Sequence, residues 1–364
     1  MGRRVGTLYG RGRKRPAPRC RYQQSTKGTT VANEGQGRSL RSLGEDKETG
    51  ADVQWVDGPL EDESSPGDVL IKVEYSGLNY KDALAATGVG RVVRRFPLTL
   101  GIDAAGVVVE SADPRHKPGD RVVVTGYGLS EQHDGGWADY LRVPGDWPIH
   151  LDDSLSTEEA MAFGTAGLTA AIAVHRLEQS GLAPGQGPVA VTGASGGSGL
   201  LAVAMLAGLG HEVVAISGSP ETHDILKKMG ASSVEDRPDT TKIRPLETAR
   251  WAGAVDAVGG QPLAWLMATT KPGGSIASFG NAAGNTLSTT VIPFILRGVN
   301  ILGVTSAHFD DALRLRVWER MATDLRPADL SAIYRTRPLT EVHDAVKDLL
   351  ANDVTGRIVL KVGD

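Results

Sequence analysis

The run Val189–Gly199 (VAVTGASGGSG) constrains this chain more than any other segment. Residues of strand character lead straight into Gly193, Gly196, Gly197 and Gly199, and an apolar stretch of helical character follows. Spaced glycines at a strand–helix junction let the backbone turn tightly, approach a pyrophosphate and seat the helix against the strand. The helix N-terminus then offers its unpaired N–H groups to the phosphates. A glycine triplet alone is equally an ordinary tight turn, so the weight rests on context. Strand, loop, helix and second strand occur in order, which predicts a dinucleotide site at Gly193, Ser195, Gly196, Gly197, Ser198 and Gly199.

Composition narrows the alternatives. The 364 residues include 46 glycines without a three-residue period and are 40% hydrophobic, which speaks against collagen and plain disorder. The length suggests roughly two domains. The one cysteine, Cys20, excludes a disulfide framework, a cysteine-based zinc site and an iron–sulfur cluster. Charge is uneven: residues 1–45 hold 11 Lys/Arg against two Asp/Glu, leaving 28 basic and 41 acidic residues in the body. A body of that balance is a poor binder of nucleic acid. The basic arm reads as a disordered extension, with a targeting segment or a nucleic-acid tail as the alternatives. No stretch is read as the ~20 apolar residues that span a bilayer, and a cytoplasmic protein is expected.

The rest of the chain divides by texture. Residues 46–153 and 310–364 are expected to form one unit. Its first part has short strands such as Asp68–Tyr75, Ile102–Glu110 and Arg121–Thr125, and predicts a partly barrel-like β domain. Ser156 with Glu159 forms a capping-box pattern ahead of the apolar Ala160–Leu177. Within 154–309, strand candidates Val189–Thr192, Glu212–Ser217, Val255–Val258, Ser275–Phe279 and Asn300–Thr305 alternate with helices, predicting a doubly wound parallel α/β sheet of the Rossmann type. At the end of the second strand stand Ser217, Gly218 and Ser219, with no carboxylate to repel a 2′-phosphate. Arg237, after the next strand, is placed to attract one, so NADP(H) is the expected cofactor.

The motifs together resemble the medium-chain dehydrogenase/reductase superfamily, and within it the zinc-independent acrylyl-CoA reductase group, often called quinone oxidoreductase-like. The resemblance rests on Leu78–Asp82 (LNYKD), Phe96–Gly106 (FPLTLGIDAAG), Thr125–Gly128 (TGYG), Gly164–Ala170 (GTAGLTA), the glycine loop, Trp251–Gly259 (WAGAVDAVG) and Ile292–Gly298 (IPFILRG). It implies a GroES-like catalytic domain beside the Rossmann domain. It implies no metal, because Ile102 and Asp103 follow Gly101 where zinc-bearing relatives carry His-Glu, and histidine pairs such as His116/His133 and His211/His223 lack ligand spacing with carboxylates.

The implied reaction adds hydride from NADPH to the β-carbon of an α,β-unsaturated acyl thioester, with a proton added at the α-carbon. Donors aimed at the developing enolate oxygen are then the main protein contribution. By the resemblance, Asn79 and Tyr80 are the catalytic candidates, Tyr80 also touching cofactor, while Asp82 fixes the loop by bonding to backbone. The cofactor contacts extend to Thr165, Thr169, Ser217, Gly218, Ser219, Arg237, Asn281, Ile295 and Ser306. Arg91, Arg94 and Arg95 are candidates for the phosphates of coenzyme A. The sequence departs from the family at Ser219, where arginine is common, at Ser198, where valine is usual, and at a poorly matched first strand in Ser39–Gly58. Quinones or free enones are the alternative substrates. A non-catalytic NADPH-binding sensor or RNA-binding protein is the non-enzyme alternative, and pairing of the last cofactor-domain strand implies a possible homodimer.

Overall fold

The computed structural model describes residues 36–46, 50–59, 67–307 and 309–363. The chain begins there with a hairpin, β1 (Gln36–Asp46) and β2 (Gly50–Pro59), followed by β3 (Val69–Leu78), α1 (Tyr80–Thr87) and β4 (Leu98–Thr99). Next come β5 (Asp103–Ser111), β6 (Arg121–Thr125), β7 (Tyr140–Val143) and β8 (Ile149–His150). The long α2 (Thr157–Gln179) leads into β9 (Val189–Thr192), α3 (Gly197–Gly208), β10 (Val213–Ile216), α4 (His223–Lys228) and β11 (Ser233–Glu235). Then follow β12 (Trp251–Asp256), α5 (Gly260–Thr269), β13 (Thr270–Ser278), α6 (Ile292–Arg297) and β14 (Asn300–Gly303). The chain ends with α7 (Asp311–Ala322), β15 (Tyr334–Pro338), α8 (Val342–Leu350) and β16 (Arg357–Lys361).

Strands β9 to β14 form a six-stranded parallel sheet in the order β11-β10-β9-β12-β13-β14. This is the doubly wound order, with its reversal between β9 and β12. Its central strands β9, β10 and β12 are largely buried runs, as a sheet covered on both faces requires, whereas β11 and β14 at the edges are partly exposed. One face packs on α2 and α3, with Phe163, Leu168, Leu200 and Leu201 in the core; the other packs on α5, with Trp251, Leu263 and Leu266.

The second unit is a strongly curved, mostly antiparallel sheet, β15-β16-β3-β5-β6-β8, with β7 also paired to β3. A separate sheet of β2, β1 and β4 lies against it, bonded from Leu40 N to Trp137 O. Strand β1 covers residues 36–45 of the stretch that charge alone assigns to the basic arm. The poorly matched 39–58 is an ordered hairpin paired from Gln36 with Pro59 to Asp46 with Gly50. The remaining arm, residues 1–35, lies outside the described residues.

Helix α2 starts with the expected box: Glu159 N donates to Ser156 Oγ and Ser156 N to Glu159 Oε2. Contrary to the sequence expectation, this helix is long and apolar enough to cross a bilayer, but 89% of its apolar window is buried inside the protein. It is the central core helix, touching both units.

Candidate active site

One half of the candidate site is built from backbone. Gly199, in the first turn of α3, lies so near the exit of β9 that a Cβ on it would fall 2.1 Å from Gly193 O. Only glycine permits that approach, which brings the N-terminus of α3 up to the sheet at its reversal point. Past β10, Ser217 is buried and its Oγ pairs with Thr222 Oγ1 at 3.0 Å while accepting from Ser219 N. The exposed Arg237 crosses this turn: its Nε lies 2.7 Å from where a Cβ of Gly218 would stand. The nearby carboxylate of Glu235 is held by Arg250 at 2.6 Å, so Arg237 remains the charge presented at the turn.

The other sequence-predicted contacts are spread over several elements. Asn281 lies beyond β13 and Ile295 on α6, both exposed. Thr169 Oγ1 donates to Ser306 Oγ at 2.9 Å, and Thr165 sits one helical turn before Thr169. Ser306 O in turn approaches Gly126 of the TGYG segment.

The second half is a buried side-chain network. Asp82, in the first turn of α1, accepts from Asn79 N at 2.8 Å, from Asn79 Nδ2 at 3.0 Å and from Ile102 N at 2.8 Å. Asp103, the first residue of β5, accepts from Asn79 Nδ2 at 2.8 Å, Thr165 N at 2.9 Å and Thr165 Oγ1 at 2.6 Å. Arg357, opening β16, lies 3.9 Å from Asp103 and donates to Asn79 Oδ1 at 2.9 Å and to the carbonyls of Leu78, Met161 and Ala162. The α2 backbone breaks at Gly164 (φ 49°, ψ −155°) to reach this cluster, and a Cβ there would meet Asp103 Oδ2 at 2.6 Å.

Two carboxyl groups and one guanidinium are thus buried together, with Asp103 the one paired to Arg357. Burial, then the charge of Asp103, push the Asp82 carboxyl up to about 7, against the opposing pull of the N–H groups of Asn79 and Ile102. Burial pulls the Arg357 pKa down, with Asp103 and Asp82 opposing.

The geometry alters the reading of the two catalytic candidates. Asn79 is buried and its Nδ2 is committed to Asp82 and Asp103, leaving neither hydrogen for a substrate oxygen. That engagement suits a positioning role rather than the enolate-donor role expected from the sequence. Tyr80, the first residue of α1, is 55% exposed and stands at the edge of the network. Lys81 pairs with Glu131, which Arg94 also approaches; Arg95 bonds Gln132 O and Pro97 O and lies 3.4 Å from Asp134. The basic loop is therefore largely tied to its own protein. Asp82 bonds backbone as expected. Arg357 escaped the sequence reading; its one signal was a lone charge opening the apolar strand GRIVLKV, which does not name a partner.

A strand–glycine–helix loop at the reversal of a doubly wound sheet, beside a GroES-like unit, defines a nicotinamide-dinucleotide-dependent oxidoreductase. Residues 65–153 match the alcohol dehydrogenase GroES-like domain, and residues 197–322 the family described as zinc-binding dehydrogenase. The chain is 50% identical over 297 residues to the Bacillus subtilis protein named as a quinone oxidoreductase, YhfP, covering 81% of this chain and 90% of that one. It is 49% identical over 298 residues to the acrylyl-CoA reductase AcuI of Ruegeria pomeroyi, with the same coverage. The crystal structure of the Salmonella enterica yhdH oxidoreductase in complex with NADP superposes with a TM-score of 0.84 at 42% identity, over 90% of this chain and all of that one. B. subtilis yhfP with NAD bound gives 0.85 at 47% identity, over 90% and 99%. The chain belongs to the zinc-independent acrylyl-CoA reductase group, quinone oxidoreductase-like, of the medium-chain dehydrogenase/reductase superfamily. It is an NADP(H)-dependent oxidoreductase.

The zinc in the matched description does not fit these residues. Ile102 offers no donor atom, and the Asp103 carboxylate is saturated by Asn79, Thr165 and Arg357. Among the described residues, one group of three potential ligands comes together, His116, Asp120 and His150. It lies at the opposite end of the β5–β6 ladder, in which Asp103 pairs with Thr125.

Proposed function

We propose that this oxidoreductase reduces the C=C bond of an α,β-unsaturated acyl thioester, with acrylyl-CoA converted to propionyl-CoA. The name and similarity of the Ruegeria relative support the substrate class. The structural observation that carries the reading is a physical link between cofactor loop and substrate side. Arg357 packs its Cδ where a Cβ of Gly197 would stand 2.7 Å away, and the same guanidinium orients Asn79, the residue before Tyr80.

Bound NADPH would supply the hydride for the β-carbon, and water reaching the exposed Tyr80 would supply the proton that the α-carbon takes up, so that the saturated thioester and NADP+ are the products. The N-terminus of α3 holds the pyrophosphate, with Gly193, Ser195, Gly196, Gly197, Ser198 and Gly199 around it. Arg237 and the Ser217–Ser219 turn hold the 2′-phosphate, while Thr165, Thr169, Asn281, Ile295 and Ser306 flank the nicotinamide half. Tyr80 donates its hydroxyl hydrogen bond to the thioester oxygen as charge develops there, and the Asn79–Asp82–Asp103–Arg357 network keeps α1 and its first residue in place. Tyr80→Phe lowers turnover about tenfold or more and leaves the NADPH Kd within a factor of two, a split that steady-state kinetics and fluorescence titration read. The body's acidic balance suits a small-molecule enzyme of the cytoplasm, and the open edge of β14 beside the exposed Ile295 and Leu296 suits a homodimer.

Quinone reduction is the second reading, supported by the name of the Bacillus relative. A spectrophotometric assay of NADPH and NADH against acrylyl-CoA and a small quinone separates them. A specificity constant higher for the quinone than for acrylyl-CoA overturns the thioester reading.

A further inference from the structure

We propose a transition-metal site of the zinc class at His116, Asp120 and His150, on the side of the catalytic unit away from the dinucleotide loop. The turn after β5 supplies His116 and Asp120, and β8 supplies His150; one potential ligand atom from each lies within 4.8 Å of the others.

Hydrogen bonding sets the chemistry. His116 Nε2 is 2.8 Å from Gly145 O and His150 Nε2 is 3.0 Å from Arg115 O. A carbonyl can only accept, so each Nε2 carries its hydrogen and each Nδ1 of the neutral ring presents a lone pair. Metal-binding histidines are commonly oriented in this way, by a backbone carbonyl on the ring nitrogen away from the ion. His116 is only 6% exposed, and its Nδ1 is buried with no hydrogen-bond partner. His150 Nδ1 faces Asp120 Oδ2 at 3.8 Å, beyond hydrogen-bond reach. Lone pairs facing a carboxylate repel unless positive charge lies between them. A proton on His150 would answer one of these contacts and leave His116 Nδ1 unsatisfied; an ion answers both.

Dimensions agree. Two imidazoles on one tetrahedral ion, at about 2.0–2.1 Å per bond, hold their ring centroids about 5.2 Å apart, and these stacked rings lie 4.8 Å apart at 24°, so that a small rotation of His150 turns both Nδ1 atoms to one point. Three donors on one zinc ion stand about 3.2–4 Å apart, so the 4.8 Å spread closes by about 0.8–1.6 Å, which the half-exposed His150 can supply. Both histidines also line a cavity of about 450 Å³ between this turn and α7, which leaves room for water to complete the shell. Two nitrogen donors select zinc, nickel or cobalt over magnesium and calcium. The ion would staple the 113–120 turn to β8.

The test is calorimetric titration of ZnCl2 into chelator-treated full-length protein, with Co(II) absorption as a second probe. One zinc ion binds per chain with a Kd in the micromolar range or below, zinc raises Tm, and MgCl2 gives no heat. His150→Ala, at a half-exposed position outside the proposed reductase machinery, weakens zinc binding on the order of 100-fold and removes the Tm shift, while NADPH oxidation is unchanged. Asp120→Asn weakens binding less. Absence of saturable 1:1 binding in the wild type, or wild-type affinity in folded His150→Ala, overturns the site. In the latter case the ion sits elsewhere in the chain.

Discussion

The two halves of the candidate site are made in opposite ways. The cofactor loop is backbone: Gly193–Gly199 is one short stretch between β9 and α3, and its ligands are N–H groups that every residue carries. The network at Asn79, Asp82, Asp103 and Arg357 is side chain. It joins the end of β3, the start of α1, the start of β5, the broken middle of α2 and the start of β16, positions up to 279 residues apart. A backbone site is local because the turn that makes it is local. A buried charge network is distributed because each charge needs partners from every direction to leave water.

That contrast predicts where damage spreads. Arg357→Met has the largest effect, a loss of about 3–5 kcal/mol of stability, because the buried Asp103 loses its cation while Asn79 Oδ1 and three carbonyls lose their donor. Chemical denaturation measures it, and NADPH affinity falls as well because Arg357 also packs under Gly197. A variant as stable as the wild type would show that Asp82 and Asp103 need no cation, and the distinction between the halves would collapse.

The next effect is one of pH. In the folded chain burial and the charge of Asp103 raise the Asp82 pKa to about 7, against 3.8 for a free aspartate. Between those values the native state holds a proton that the unfolded chain has released, so stability falls as pH rises through this window. The fall is about 1.4 kcal/mol per pH unit, or about 2–3 kcal/mol from pH 5 to 7, and levels off above. Urea midpoints at half-unit pH steps check it. In Asp103→Asn the window narrows, because the neighbouring charge that helps raise Asp82 is gone; an unchanged profile would detach the effect from the network.

Gly199→Ala probes the backbone half. The added Cβ meets Gly193 O at 2.1 Å and the Gly193 carbonyl carbon at 2.8 Å, so α3 must move off the strand. Overpacking of this kind costs about 1–3 kcal/mol, and here the NADPH Kd rises with it while the pH profile of stability stays as in the wild type.

Legibility in the sequence follows the same division. The parallel sheet was readable because its central strands are apolar runs and each crossover carries its own turn residues; Val189–Thr192 matches to the residue, as does Arg121–Thr125 in the antiparallel sheet. The hairpin at 36–59 was not, since Arg38, Arg41, Asp52 and Asp57 interrupt the apolar pattern and Leu40, Ala51 and Val53, which bury its inner face, are too sparse to announce a strand. LNYKD was recognisable as a motif, yet a sequence does not show that the amide of Asn79 is already engaged by Asp82 and Asp103. The His116–His150 approach was invisible for the same reason. It spans 34 positions and depends on β6 pairing with β8.

Arg237 is the smallest test and the one that joins the two halves, being a side chain that serves the backbone site in the proposed reading. It touches the turn after β10 from the end of β11, where the family more often places an arginine within the turn itself, at Ser219. A charge that reaches a phosphate from one strand away, at an exposed position, is screened by solvent and is worth about 1–2 kcal/mol. Arg237→Ala therefore raises the NADPH Kd roughly tenfold, with NADH binding changed by less than a factor of two, because NADH has no 2′-phosphate for it to hold. Ser219→Arg in the same background restores NADPH affinity if the charge alone matters. Equal losses for both dinucleotides would mean that Arg237 supports the Ser217–Ser219 backbone, and that the preference for phosphate arises elsewhere in the fold.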